Sequence, residues 1–411
     1  MENTGKGNLH MVQANWDEIE RKVREHRMKR IKIIAVIVGV CVAAGIFYYV
    51  YMQHKVYTDY KVTERIERTD TEATHFREFN GNLLKYSNDG ASYTNNKNEV
   101  IWNQTFEMQD PIVAVCGVYV AFADQAGKEI YVLNEEGLQG KIKVNMPILK
   151  LEVASQGTVA VLVEEEGISY LKLFNKKGEQ LAEGAIHIEN GGAPLDIALS
   201  SDGKKLGVAI LDINDGKVKT TIHFYNFGAV GQNKIDNIVA TYKYEDSVIP
   251  DIVYVGTDRM IAFADHAVYT FSGGDTPKEA EHLSITEEIK SIFYDDSYFG
   301  LVLTDGEDEN GRNIKIYNTK CGEVQTFHTN MSYGTIRFLD NHEICMYDET
   351  QCAIYTLGGL EKFKYNFEEK IYEILHTGGY RNYAFILEGK TEQIRLKLFG
   401  AEKKENEGKE T

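Results

Sequence analysis

The sequence is poor in cysteine and proline, with 5 of each among 411 residues. So few cysteines exclude a scaffold built on disulfides, and so few prolines exclude collagen-like and proline-rich architectures. Basic residues are also in deficit, since 45 lysines and arginines stand against 62 aspartates and glutamates, giving a net charge of −17. A chain of this charge repels phosphates, which argues against a nucleic-acid partner.

The sequence also lacks the common motifs of catalysis and metal binding. It contains no H-E-x-x-H, no cysteine–histidine cluster at metal-ligand spacing, no G-x-S-x-G and no phosphate-cradling glycine loop. Two acidic stretches, residues 212–216 and 305–311, are rich in Asp, Asn and Gly, which is more typical of hairpin turns than of calcium sites. We therefore predict no catalytic residues, no metal and no cofactor.

One long uncharged segment is present, Ile33–Met52. A helix of about 20 residues covers roughly 30 Å, the hydrocarbon thickness of a bilayer. Residues 1–32 carry eight basic side chains, so the positive-inside rule places the N terminus in the cytoplasm and the rest of the chain outside. A cleavable signal peptide is the alternative, and the long leader before the apolar segment disfavours it. We predict a single-pass signal anchor in the cell membrane.

Beyond residue 60 the sequence shows no sustained helical periodicity and instead repeats a unit of short strands and tight turns. Four of the five prolines (Pro111, Pro147, Pro194 and Pro250) fall where the first strand of a unit begins, a position that suits a residue without an N–H. Further units begin near residues 289, 334 and 371, and a divergent first unit covers 75–106. At about 40–45 residues per blade, this predicts an all-β, eight-bladed β-propeller, with seven blades as the alternative.

The last unit supplies only three strands, and the isolated strand 60–67 is its natural fourth. Pairing the two would close the ring and remove two open sheet edges. The predicted organisation is a cytoplasmic basic segment (1–32), a transmembrane helix (33–52), a short linker (53–59), an extracytoplasmic propeller (60–400) and a disordered charged tail (401–411). Asn15 and Asp17 are candidate N-caps for a helix that runs into the span.

Two cysteines lie on adjacent predicted strands, Cys345 and Cys352. A two-residue turn at 348–349 would place them directly opposite each other, within disulfide range. An oxidising exterior permits that bond. The alternative is a pair of buried free thiols.

Several runs resemble known propeller repeats. The segments GVYVAFAD…GKEIYVLNEEG and NEVIWNQTFEMQDPIV resemble pyrroloquinoline-quinone-type repeats, and SSDGKKLGVAIL resembles the repeats of periplasmic WD40-like propellers. The whole layout is similar to a membrane-anchored family of unknown function in Gram-positive anaerobic bacteria, over about residues 50–400. This resemblance implies a membrane-anchored propeller and brings no catalytic or cofactor residues with it.

The function that we expect is a non-catalytic scaffold that binds a protein or another ligand at the cell envelope. Its partner would be an envelope protein or a wall-associated component, and its single helix would anchor it in the membrane. Two alternatives remain open at this point. One is an extracytoplasmic enzyme with its site in the propeller channel, and the other is a transmembrane sensor that signals through the helix containing Trp16.

Overall fold

The computed structural model describes residues 16–69, 74–95, 97–186, 192–214, 216–306, 308 and 311–398. The chain divides into two compact units, residues 1–56 and 57–411. The predicted N-cap Asn15 and the predicted tail 401–411 lie outside the described residues.

The first unit contains one helix, α1 (Trp16–Gln53). Its stretch Glu20–Met52 is long and apolar enough to cross a membrane, and its apolar side chains are exposed, Val36 by 65% and Phe47 by 74%. A soluble helix would bury such a surface against a core. The stretch is therefore a candidate membrane anchor.

The second unit consists of eight four-stranded antiparallel sheets, which confirms the predicted eight-bladed propeller and rules out seven blades. We number the sheets as blades 1 to 8 in chain order. Blade 1 contains β2 (His75–Phe79), β3 (Asn82–Ser87), β4 (Gly90–Thr94) and β5 (Val100–Thr105). Blade 2 contains β6 (Pro111–Cys116), β7 (Tyr119–Asp124), β8 (Glu129–Asn134) and β9 (Gly137–Lys143). Blade 3 contains β10 (Ile148–Val153), β11 (Val159–Glu165), β12 (Ile168–Phe174) and β13 (Gln180–Ala185).

The remaining blades follow the same order of strands. Blade 4 contains β14 (Ala193–Leu199), β15 (Lys205–Asn214), β16 (Lys217–Asn226) and β17 (Ile238–Glu245), with two 3-10 turns, Gly231–Asn233 and Ile235–Asn237, before β17. Blade 5 contains β18 (Asp251–Val255), β19 (Arg259–Phe263), β20 (Ala267–Ser272) and β21 (Lys278–Ser284). Blade 6 contains β22 (Ile289–Tyr294), β23 (Tyr298–Thr304), β24 (Arg312–Asn318) and β25 (Glu323–Thr329). Blade 7 contains β26 (Thr335–Phe338), β27 (Ile344–Tyr347), β28 (Gln351–Tyr355) and β29 (Glu361–Asn366).

Blade 8 joins the two ends of the unit. Its strands β30 (Ile371–His376), β31 (Asn382–Leu387) and β32 (Lys390–Leu396) come from the end of the chain, and β1 (Tyr60–Glu67) pairs with β32 as the fourth strand. The Arg65 side chain bonds Glu392 at 2.9 Å through Nε. Arg68 is buried and donates to the Thr391 hydroxyl at 2.7 Å and to the Leu387 carbonyl at 2.8 Å. These contacts fasten β1 to the last blade, so the ring is closed.

Burial follows the position of each strand within its blade. The first strands of neighbouring blades contact one another and therefore line the central channel. The second strands are packed between adjacent blades on both faces, and VAVLV of β11 and LVL of β23 are fully buried there. The fourth strands face solvent, as the mostly exposed KEAEHLS of β21 shows. The apolar core therefore lies between blades, for example where Ile130 of blade 2 meets Val161 of blade 3.

Local chemistry fixes how the first strands begin and end. Pro111 opens β6 and Pro147 directly precedes β10, at positions where a missing N–H costs no ladder hydrogen bond. At the other end of β10 the chain turns through Gly157, whose φ of +84° suits glycine. A Cβ on Gly157 would also stand 2.8 Å from the Tyr119 ring of blade 2. This turn therefore needs glycine both for its conformation and for the packing of blades.

Candidate functional site

The channel contains a cavity of about 520 Å³ among the first strands of blades 1 to 6. Its volume falls in the range of small-molecule sites, roughly 300–1,000 Å³. Each of the six first strands contributes to its wall, through Arg77, Val113, Glu152, Asp196, Asp251 and Tyr294.

Three carboxylates enter the cavity from three consecutive blades. Glu152 stands between Leu151 and Val153, which are both buried, so strand alternation turns its side chain away from the packed face and toward the channel. In β14, the register with β15 shifts between Pro194 and Asp196. Such a bulge re-aims the side chain that follows it.

Hydrogen bonding differs sharply among these carboxylates. Asp196 is satisfied, because Lys150 pairs with its Oδ1 at 3.1 Å and the Ile252 N–H donates to its Oδ2 at 3.1 Å. Asp251 has an Oδ1 atom that is closed off from solvent and has no hydrogen-bond partner. Within the described ranges, the Glu152 carboxylate makes no hydrogen bond either.

Burial raises the pKa of all three groups. Desolvation, with the nearby Asp196 charge, raises the pKa of Glu152 from 4.5 to about 8, and Arg77 opposes that rise. Desolvation and the Asp196 charge raise the pKa of Asp251 to about 7. The pKa of Asp196 is also raised by desolvation, against the lowering effect of Lys150. Near neutral pH, Glu152 and Asp251 therefore exchange protons readily, a property more common in functional sites than in ordinary surfaces.

Arg77 carries the opposite charge at the blade 1 side of the cavity. Its Nη1 atom lies 3.5 Å from the Val113 carbonyl oxygen, a long and weak contact. Among the residues that the structure describes, Arg77 forms no ion pair. A second channel arginine is neutralised, since Arg337 of β26 bonds Glu373 of β30 at 2.9 Å and the Ile374 carbonyl at 2.7 Å.

Two aromatic side chains complete the polar part of the wall. Tyr294 exposes 42% of its surface and stacks on Phe263, with ring centroids 5.9 Å apart. The Tyr254 hydroxyl is closed off from solvent and has no hydrogen-bond partner. The site thus combines carboxylates, one unpaired guanidinium and phenol groups, which together suit recognition of a polar ligand.

A trio of possible metal ligands lies at the loops that end the first strands of blades 6 and 7, and two of its members, Asp295 and Asp296, also line the cavity. Ligand atoms of Asp295, Asp296 and His342 lie within 4.8 Å of one another, a grouping that we did not predict from the sequence. Asp295 already accepts hydrogen bonds from the backbone N–H groups of Ser297 and Tyr298, both at 2.7 Å, and its Oδ2 lies 2.6 Å from His342 Nδ1. The contact between Asp295 and His342 therefore joins blade 6 to blade 7.

The predicted positions of Cys345 and Cys352 need correction. Cys345 is the cross-strand partner of Ile354, and Cys352 that of Tyr347, so the two cysteines are not directly opposite. The reason is that Asp348 faces Gln351, so the two-residue turn consists of Glu349 and Thr350 and lies one residue later than we assumed. Both side chains are buried free thiols, and burial raises the pKa of Cys352 to about 12.

The two acidic stretches are only partly described. Asp212 pairs with Lys219 at 3.1 Å on the adjacent strand, and Asp305 lies 3.2 Å from His328. Residues 215, 307, 309 and 310 lie outside the described ranges. The acidic groups that are described therefore have protein partners, as expected of hairpin residues.

Sequence reasoning missed the channel residues Arg77, Glu152, Asp196 and Asp251. A signal was present, because the first strands of blades 3 to 5 each carry one acidic residue in a mostly apolar segment (ILKLEV, APLDIAL and DIVYV). An acidic residue inside a strand that lines a channel is costly unless it contacts solvent or a ligand. The recurrence of this pattern in consecutive repeats was the available clue.

Fold and site together define an eight-bladed β-propeller with a polar channel cavity, preceded by a candidate membrane-spanning helix. The chain belongs to a family of unknown function (DUF5711), whose model matches residues 53–396. No curated protein matches the chain significantly.

Solved structures support the fold alone. The C-terminal WD40 domain of Sif2 is similar with a TM-score of 0.54 and 11% identity, over 84% of this chain and 100% of that chain. BamB from Moraxella catarrhalis gives a TM-score of 0.48 and 11% identity, over 82% of this chain and 100% of that chain. At such low identity the first likeness is evidence for a propeller and not for a shared ligand.

Proposed function

We propose that this protein is a non-catalytic binding scaffold, anchored in the membrane by α1 and carrying its propeller on the outer side. The basic residues of 21–32 precede the apolar segment and support a cytoplasmic N terminus. The rest of the chain has an excess of acidic residues, consistent with a basic partner at the envelope of a Gram-positive anaerobe, the source that the sequence resemblance implies.

A protruding hairpin carries the binding part of this proposal. Strands β15 and β16 are 10 residues each, whereas the matching strands of the neighbouring blade 3 have 7. Near its tip Ile213 is 63% exposed. Ile168, at the matching turn of blade 3, is 48% exposed. Exposed apolar side chains on the same face of adjacent blades suit a protein partner.

Photo-crosslinking in native membranes tests the binding surface. A photoreactive residue at Ile213 or Ile168 should give one discrete protein adduct of the full-length chain. The matched control is Glu388, which is exposed at the corresponding turn of blade 8. Equal yields from all three positions, or no adduct from Ile213 and Ile168, would refute the proposed surface.

Topology is tested separately with a membrane-impermeant maleimide on whole cells. A cysteine at exposed Lys61 of β1 should be labelled, and a cysteine at Lys22 of α1 should be labelled only after the membrane is permeabilised. Labelling at Lys22 in intact cells would reverse the proposed orientation.

An extracytoplasmic enzyme is the second candidate, and the channel carboxylates favour it. A carboxyl group with a pKa near neutrality, such as Glu152, can act as a general acid or base. Under that alternative, Glu152→Gln would abolish the cellular role while leaving adducts at Ile213 intact. Under the scaffold proposal, a variant that loses the crosslinked partner at Ile213 also loses the cellular role.

A further inference from the structure

Charge is unevenly distributed around the channel cavity. In a ring of eight, blade 5 stands opposite blade 1, so Asp251 and Arg77 occupy facing walls of the same cavity. Glu152, on blade 3, lies close enough to Arg77 for the guanidinium to lower its pKa. Asp196 and Tyr294 line the same cavity as these three groups. The cavity therefore has an acidic side and a basic side.

The charged groups left available on each side are few. Lys150 is committed to Asp196, and Arg337 is committed to Glu373. In the described part of the chain, this leaves the guanidinium of Arg77 and the carboxylates of Glu152, Asp251 and Asp296 without an ion-pair partner, and Asp296 already accepts a hydrogen bond from the Ser297 hydroxyl at 2.8 Å. A buried polar atom without a hydrogen bond, such as Asp251 Oδ1, destabilises the folded protein. A ligand that supplied donors would offset that destabilisation.

Geometry argues against a bare metal ion as the ligand. The described residues contain one trio of ligating groups within 4.8 Å, Asp295, Asp296 and His342, at the blade 6 edge of the cavity. In that trio Asp295 already accepts two backbone N–H bonds and contacts His342. Glu152, Asp196 and Asp251 do not converge on one point in that way. A metal ion would also leave Arg77 unused and repel it. A ligand with separated positive and negative groups matches both sides of the cavity.

We propose that the channel binds a small zwitterion of the α-amino acid or dipeptide type, with its carboxylate on Arg77 and its ammonium group between Glu152 and Asp251. A guanidinium presents paired N–H donors that match a carboxylate. Ammonium groups donate three hydrogen bonds, which the two carboxylates accept. This site lies in the channel, apart from the hairpin surface at Ile213, so either can fail alone.

The remaining wall favours an uncharged, apolar side chain on the ligand. Val113 and Val115 line the cavity from blade 2, beside Arg77. Val253 lines it from blade 5 and the Tyr294 ring from blade 6. The volume of about 520 Å³ accommodates either a free amino acid or a dipeptide.

Isothermal titration of the full-length protein in detergent micelles tests the proposal. The probes are L-leucine and glycyl-L-leucine as zwitterions, isoamylamine as the ammonium half and 4-methylpentanoate as the carboxylate half. At least one zwitterion should bind about tenfold or more tightly than either half. The tighter of the two zwitterions identifies the ligand as a free amino acid or a dipeptide. Binding should also release protons near neutral pH, because an ammonium group lowers the raised pKa of Glu152.

Variants assign the two halves of the ligand. Arg77→Gln should weaken the zwitterion about tenfold or more and leave isoamylamine unchanged, whereas Glu152→Gln and Asp251→Asn should weaken both. The charge-matched controls are Lys278→Gln and Glu281→Gln, which change exposed residues on the outer strand β21. Arg77 is exposed, so its replacement leaves the fold intact.

Three results would overturn the proposal. The first is that neither zwitterion binds up to millimolar concentration. The second is that isoamylamine binds as tightly as the zwitterions, which would define a simple cation site. The third is that Arg77→Gln behaves like Lys278→Gln.

Discussion

Lys362 and Glu343 form an ion pair in the interior of the propeller, where Lys362 exposes 0% and Glu343 8% of their side chains. Lys362 lies on β29, and its ammonium group stands 3.7 Å from the centre of the Tyr380 ring. The Tyr383 hydroxyl of blade 8 donates to the other carboxylate oxygen of Glu343 at 2.5 Å. Both charged residues belong to blade 7. Their contacts with Tyr380 and Tyr383 join blade 7 to blade 8, the blade in which the ring closes.

Removing one charge of this pair should destabilise the protein strongly. Lys362→Met leaves Glu343 buried without its cation, so the free energy of unfolding should fall by about 3–5 kcal/mol. The double variant Lys362→Met, Glu343→Gln should recover much of that loss, because it keeps a partner for Tyr383 and buries no charge. Urea unfolding followed by fluorescence of the buried Trp102 measures both. A double variant as unstable as the single one would contradict the charge argument.

The channel should make stability fall as pH rises. Glu152 has a pKa of about 8 in the folded protein and an ordinary value of 4.5, so the folded state binds more protons between these values. The free energy of unfolding therefore decreases as pH rises through this window. Desolvation is the largest cause of this raised pKa, and the charges of Asp196, Arg77, Asp251 and Lys150 modify it.

Glu152→Gln should flatten this decrease, and urea unfolding between about pH 5 and pH 8.5 measures it. The control Glu281→Gln, at an exposed site, should follow the wild-type curve. Parallel curves for Glu152→Gln and the wild type would show that Glu152 titrates normally.

Strand glycines should differ in their tolerance of alanine. A Cβ on Gly300 of β23 would stand 2.1 Å from the ring of Phe293, its cross-strand partner, so the ring would have to move. We expect Gly300→Ala to cost about 1–3 kcal/mol. A Cβ on Gly184 of β13 would have no atom within 4 Å, so Gly184→Ala is the matched control and should be close to neutral. Thermal unfolding of both variants decides the matter.

Cys345 and Cys352 should react with alkylating reagents only after unfolding. Burial keeps Cys345 and Cys352 protonated, because it raises the pKa of both thiols. In the native protein neither should react with iodoacetamide. After denaturation without reductant, mass spectrometry should find all 5 cysteines alkylated. Three alkylated cysteines instead would indicate a disulfide between Cys345 and Cys352.

The propeller was predictable because its signals repeat. Each unit carries the same order of strand and turn, and prolines such as Pro111 and Pro147 mark where first strands begin. An isolated copy of such a signal is ambiguous, but eight copies at similar spacing leave few alternative folds. The error at Cys345 and Cys352 concerned the position of one turn, which shifts register without altering the fold.

The channel site was harder to predict because its members are distant in sequence. Arg77 and Asp251 stand on opposite blades and line one cavity only when the ring is complete. Whether Asp196 faces the channel depends on the bulge at Pro194, which no residue pattern announces. Proximity across a ring and the local direction of a side chain are three-dimensional properties, and strand periodicity carries neither.

Because β1 pairs with β32, the ring cannot close until β32 has been synthesised. Thr63 and its partner Gln393 are 330 residues apart, a gap that takes roughly 15–60 s to translate at about 5–20 residues per second. During that time β1 has no strand to pair with and exposes its edge. Its charged side chains, among them Lys61, Glu64 and Arg65, discourage association with strands of other nascent chains. A product that terminates before β32 would keep that edge permanently exposed, so premature truncation should yield an aggregation-prone chain rather than a smaller working propeller.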